Sequence, residues 1–172
     1  MQDFILSVAE LLGGPGEYRD VALRAPLLGV GNPVARLQGD TVAAELRVES
    51  VMEGVLVTGR VEADTDLQCA RCLTEFPSEM SLRLCELFVS PGHDAAAEDD
   101  VYKVSGTEID LEPALRDACV LALPLKPLCS PDCKGLCARC GTDLNTSSCD
   151  CKEDDLDPRW AALSEVRERL EN

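Results

Sequence analysis

Thr41-Val-Ala-Ala-Glu-Leu-Arg-Val-Glu49 is rich in β-forming residues, and its apolar and polar side chains nearly alternate. Val42, Ala44, Leu46 and Val48 share one face of an extended chain, the pattern of a half-buried strand. Working outward, Val55–Val61 (VLVTGRV) follows Gly54 and stays extended to Gln68. Upstream, Val21, Leu23 and Ala25 alternate with polar neighbours. Downstream, Met80, Leu82 and Leu84 form another run, continued beyond Glu86 by Leu87 to Val89. Residues 18–90 therefore predict an antiparallel sheet that could close on itself like a barrel.

Gly13-Gly-Pro-Gly16 marks a turn before this region. Residues 91–106 (PGHDAAAEDDVYKVSG) are polar and acidic and predict an exposed loop, with the only histidine, His93, solvated there. Asp110 then offers an N-cap, and Pro113 falls in a first helical turn. Leu111, Ala114, Leu115, Ala118, Leu121 and Ala122 lie on one helical face, and Pro124 ends the helix. A second helix is signalled by Asp157 as N-cap, Pro158 at the first helical position, and the stripe Trp160, Leu163, Val166 and Leu170. The fold class is α+β: an antiparallel, barrel-like sheet, two helices and a C-terminal zinc-stapled segment. Residues 1–128 form the sheet domain with one helix. Residues 129–172 form the zinc-binding segment and the second helix.

The chain has 172 residues, of which 45% are hydrophobic and only 3% aromatic, so its core is built of Val, Leu and Ala. Lys and Arg number 16 against 32 Asp and Glu, a formal net charge of −16. No segment is a basic patch, and nucleic-acid affinity comes largely from Lys and Arg neutralising phosphate. Direct nucleic-acid binding is therefore disfavoured; an acidic surface either attracts a basic protein partner, ribosomal proteins being an obvious class, or only keeps the protein soluble. The N-terminus has no basic region of the kind that opens a signal peptide. No apolar run approaches the ~20 residues needed to span a bilayer. These features predict a cytoplasmic protein with reduced thiols, and no membrane partner.

Ten cysteines stand out. Cys85 and Cys119 lie singly in periodic apolar segments and are expected to behave as small buried hydrophobes. The other eight come in close pairs: Cys69/Cys72, Cys129/Cys133, Cys137/Cys140 and Cys149/Cys151. Structural zinc takes four such ligands in a closed tetrahedron, so four pairs make two sites and two zinc ions are expected. Two groupings are open. One joins Cys137, Cys140, Cys149 and Cys151 locally and leaves Cys69, Cys72, Cys129 and Cys133 as a long-range site. The other joins Cys129, Cys133, Cys137 and Cys140 locally and leaves Cys69 and Cys72 with Cys149 and Cys151. The first is preferred. A redox Cys-x-x-Cys would want the start of a helix, whereas Cys69/Cys72 falls between strands. An iron–sulfur cluster also uses four cysteines. No G-x-S-x-G, P-loop or H-E-x-x-H is present, so no catalytic residue is assigned and an enzyme is not expected.

Cys69-Ala-Arg-Cys72-Leu-Thr-Glu-Phe76, Ile109-Asp-Leu-Glu-Pro-Ala-Leu-Arg-Asp117, Leu123-Pro-Leu-Lys-Pro-Leu-Cys129, Asp132-Cys-Lys-Gly-Leu-Cys137 with Cys140-Gly141, and Asp157-Pro-Arg-Trp160 follow one another in this order. Read together they resemble the YceD family, large ribosomal RNA subunit accumulation proteins, over nearly the whole chain. Leu12-Gly, Pro15-Gly16 and Glu53-Gly-Val-Leu-Val-Thr-Gly59 resemble its actinobacterial branch. The resemblance implies a bacterial or plastid factor needed for large-subunit ribosomal RNA to accumulate. With the charge argument, it implies that acidic faces bind a basic ribosomal protein or a large-subunit assembly intermediate, and that RNA contact is indirect. Glu98, Asp99 and Asp100, and Glu153, Asp154 and Asp155, are the acidic runs expected to contribute. The competing expectation is a zinc-stapled adaptor without a ribosomal role, docking through the Trp160 helix.

Overall fold

A computed structural model describes residues 3–12, 14–93, 101–151 and 163. In chain order the strands are β1 (Ile5–Ser7), β2 (Tyr18–Pro26), β3 (Gly31–Asn32), β4 (Ala35–Leu37), β5 (Thr41–Ser50), β6 (Gly54–Gln68), β7 (Glu75–Val89), β8 (Tyr102–Lys103) and β9 (Glu108–Asp110). Among the described residues one complete α-helix, α1 (Glu112–Ala122), follows.

β5 holds Val42, Ala44, Leu46 and Val48 in the core, none more than 3% exposed, while Glu45 and Arg47 point to solvent. β2 pairs antiparallel with β5, β5 with β6, and β6 with β7. β4 pairs with the last third of β6 and carries β3 beside it. β8 lies parallel to the end of β7 through two residue pairs. β1 and β9 form a separate two-stranded ribbon.

The sheet stays open, which corrects the expectation of a barrel. Closure would need a ladder between β2 and β7, and no such ladder forms among the described residues. Instead, the apolar face is covered by α1 and the N-terminal segment. Phe4, Val8 and Leu11 join Leu111, Ala114, Leu115 and Cys119 in the same buried cluster as the sheet residues. Backbone bonds from Leu111 N–H to Phe4 O (3.0 Å) and from Val8 N–H to Thr107 O (2.8 Å) hold the cover together.

The N-cap position of α1 is Leu111, which offers no capping side chain; Asp110 stands one residue before it, and its Oδ1 accepts the Glu112 N–H at 3.0 Å. The buried face runs through Leu111, Ala114, Leu115 and Cys119 to Leu123, whereas Leu121 is 85% exposed. Cys119 and Leu121 stand roughly 200° apart around a helix, so the stripe that buries one turns the other outward. The second expected helix, from Asp157, lies outside the described residues apart from Leu163, which is helical and exposed. Within the expected loop at 91–106, His93 is exposed, but Tyr102–Lys103 is a strand and Val104 is buried.

Candidate metal centres

β6 and β7 are 15 residues each and pair without interruption from Gly54↔Val89 to Gln68↔Glu75. That register presents Cys69–Thr74 as the tip of a long hairpin. α1 stops before Pro124, and the chain then runs past this tip, where Ala70 N–H donates to Pro127 O at 2.8 Å. Cys129 and Cys133 arrive beside Cys69 and Cys72. The Sγ atoms of Cys69 and Cys133 are 3.7 Å apart, and those of Cys72 and Cys129 are 3.6 Å apart. All four Sγ atoms lie within 4.8 Å of one another, as do those of Cys137, Cys140, Cys149 and Cys151. The structure thus assembles the first of the two open groupings.

The spacing fits a single tetrahedral ion. With metal–sulfur bonds of about 2.3 Å, the sulfur–sulfur edge of a tetrahedron is about 3.8 Å. A disulfide would need about 2.05 Å, and the ten cysteines are free thiols. A multi-iron cluster needs room for several irons and sulfides between its thiolates. Sulfurs this close leave room for one ion, and four soft thiolates suit zinc or a single iron.

The two Cys-x-x-Cys turns are copies of one design. Cys69-Ala-Arg-Cys72-Leu-Thr74 and Cys137-Ala-Arg-Cys140-Gly-Thr142 differ at one position. Leu73 N–H donates to Cys69 O at 2.9 Å, and Gly141 N–H donates to Cys137 O at 2.9 Å. Cys69 N–H donates to Thr74 O at 2.9 Å, and Cys137 N–H donates to Thr142 O at 2.8 Å. Thr74 Oγ1 stands 3.4 Å from Cys72 Sγ, and Thr142 Oγ1 3.1 Å from Cys140 Sγ. Each turn frees backbone N–H groups for sulfur; Arg71 N–H reaches Cys69 Sγ at 3.5 Å.

The thiols ionise unequally as a result. Backbone N–H groups of Cys129 and Cys72 bring the Cys69 thiol down to about 6. The Thr142 hydroxyl and backbone N–H bring Cys140 down to about 6. Cys129 is pushed up to about 12, first by Cys72, and Cys151 up to about 12, first by Cys140. Within each cluster the neighbours thus push in opposite directions, Cys69 and Cys140 toward the thiolate and Cys129 and Cys151 toward the thiol.

The centres differ in burial. Cys69, Cys72 and Cys133 are buried, with Phe76 and Leu136 packed against them, and only Cys129 of this cluster is exposed. In the second cluster Cys140 and Cys151 are exposed and Cys137 and Cys149 half-buried. Arg71 strengthens the first by donating to Cys133 O at 2.7 Å. Gly135 (φ 77°) sits so close to this tip that a Cβ there would lie 2.9 Å from Arg71 O.

Cys119 is buried as expected, and burial pushes its thiol up to about 11. Cys85 is exposed, against expectation. Leu84 faces the core, and adjacent strand residues face opposite ways, so Cys85 faces solvent. Sequence reasoning passed over Arg71, Thr74, Thr142 and Asn145. The near-identical hexapeptides were the available signal for the two threonines.

The family model for the large ribosomal RNA subunit accumulation protein YceD matches residues 57–167, a span holding all eight paired cysteines. The chain belongs to the YceD family. A Mycobacterium tuberculosis protein is 46% identical over 132 residues, covering 75% of this chain and 63% of its own length. The chain thus spans somewhat under two thirds of this relative. A chloroplastic YceD homolog of Zea mays is 29% identical over 83% of this chain and 54% of its own length. The Haemophilus influenzae large ribosomal RNA subunit accumulation protein YceD is 32% identical over 45% of this chain and 47% of its own length. No solved structure matches the chain. No helix among the described residues is long and apolar enough to cross a membrane.

Proposed function

We propose that this YceD-family chain is a zinc-binding accessory factor for accumulation of the large ribosomal subunit and its 23S RNA. Each four-cysteine cluster holds one zinc ion, which supplies a cross-link between its two cysteine pairs and no reactive position. The observation that carries the reading is the long-range cluster. Cys69 and Cys72 meet Cys129 and Cys133 at single-ion spacing, inside the segment matched by the family model. The protein works as a shaped surface in the cytoplasm. It holds a basic ribosomal protein or an assembly intermediate against its acidic exterior, with RNA contacted through that partner. The net charge of −16 supports a basic partner and opposes direct phosphate binding. The acidic runs at 98–100 and 153–155 lie outside the described residues and remain the surfaces to test by charge reversal. Residues 1–128 act as the sheet domain and 129–172 as the metal-stapled part.

Capture of the tagged protein from native cells, with and without nuclease, tests this. Large-subunit proteins and precursor RNA should co-purify, and one basic ribosomal protein should persist after nuclease. Loss of all partners with the RNA would overturn the protein-partner mechanism.

A second reading, an adaptor with no ribosomal role, is favoured by the exposed leucines Leu121 (85%) and Leu125 (82%). A partner set without ribosomal components would select it.

A further inference from the structure

Asn145 belongs to the loop between Cys140 and Cys149 of the exposed cluster, yet its side chain serves the buried one. Its Nδ2 donates to Cys133 Sγ at 3.4 Å. Its Oδ1 accepts the Lys134 N–H at 2.8 Å, which sets the oxygen toward Lys134 and the NH2 toward the sulfur. Asp143 fixes the loop, because its Oδ1 accepts the Asn145 backbone N–H at 2.9 Å and Nδ2 at 2.7 Å. Further bonds cross between the two parts. Leu144 N–H donates to Gly135 O at 2.9 Å, and Leu136 N–H donates to Arg71 O at 3.0 Å.

A four-thiolate site carries excess negative charge, and a neutral N–H aimed at one sulfur lowers it at no cost in ligands. The loop carrying that N–H is closed by the exposed cluster, whose second pair, Cys149 and Cys151, follows it in the chain. We propose that Asn145 is a positioning residue through which metal at the exposed cluster tightens metal at the buried cluster. This rests on the reading that both clusters bind metal. By linkage the coupling is reciprocal: metal at the buried cluster tightens the exposed one by the same factor.

The test uses the full chain loaded with zinc and challenged with graded chelator. Cysteines freed at each step are alkylated and located by mass spectrometry. Asn145→Ala should lower zinc retention by Cys69, Cys72, Cys129 and Cys133 about tenfold. Asn145→Asp keeps the acceptor for Lys134 N–H but loses the donor to sulfur, and should weaken retention at least as much. Cys149→Ser with Cys151→Ser disables the exposed cluster and should weaken the buried one by a similar factor. Adding Asn145→Ala to that pair should then change nothing further. Far-ultraviolet circular dichroism should show the sheet intact in every variant. Retention unchanged by Asn145→Ala overturns the proposal, as does wild-type behaviour of Asn145→Asp. Effects that multiply in the triple variant overturn the coupling. Two ions held independently would refute this inference alone, whereas no metal at either cluster would refute the metal reading with it.

Discussion

Leu73 stands where Gly141 stands in the second copy of one turn, and both backbones are left-handed, with φ of 61° and 73°. A residue with a Cβ is strained there by roughly 1–2 kcal/mol, whereas glycine is not. Leu73 is also 55% exposed, so little burial is lost on removing its side chain.

Leu73→Gly should therefore stabilise the zinc-loaded protein. Part of the relieved strain is offset by the greater freedom of glycine in the unfolded chain, leaving about 0.5–1 kcal/mol. The thermal midpoint should rise by a few degrees. A midpoint that falls would show that Leu73 packs more tightly than its exposure implies.

Metal removal should act locally. Binding at four-thiolate sites is worth about 10–16 kcal/mol in peptides at neutral pH. Few apolar contacts hold residues 129–151 otherwise, since Cys133 is the only described residue there that is buried apart from Gly135. Lys134 and Arg139 are already at the surface, and a chelator should loosen the backbone around them so that trypsin cleaves there while the β-sheet circular dichroism persists. Full protease resistance after metal removal would contradict this.

Thiol alkylation should proceed in three stages. In the loaded protein Cys85, exposed on β7, should react first and alone. Chelation should release the eight clustered cysteines. Cys119, buried and with its thiol pushed up to about 11, should react last, on unfolding. Fast labelling of a clustered cysteine in the loaded protein would count against a closed site.

Metal affinity should rise with pH. Between about pH 6 and 12, Cys69 and Cys140 are ionised before an ion binds, while Cys129 and Cys151 keep their protons. An ion must displace at least one proton per cluster, so affinity should climb at least tenfold per pH unit between pH 7 and 8. Below about 6, Cys69 and Cys140 also protonate and the loss steepens. Chelator competition at three pH values measures the slope, and a flat profile would refute thiol ligation at Cys129 and Cys151.

Much of this was legible in the sequence because it is written in local periods. The alternation of Val42, Ala44, Leu46 and Val48 needs only the two-residue repeat of a strand. The four cysteine pairs need only the reach of one turn. Cys85 could have been placed by the same parity rule, counting one residue on from Leu84.

The sequence by itself thus determined the four long strands β2, β5, β6 and β7, the helix α1 and the presence of two four-cysteine sets. Only the tertiary structure decided which pairs meet, that the sheet stays open, and that Asn145 reaches from one cluster to the other. Cys69 and Cys133 are 64 residues apart, and their 3.7 Å contact follows from the register of β6 with β7 and the path of the chain after α1. Such a contact depends on how distant segments pack, which local spacing does not encode.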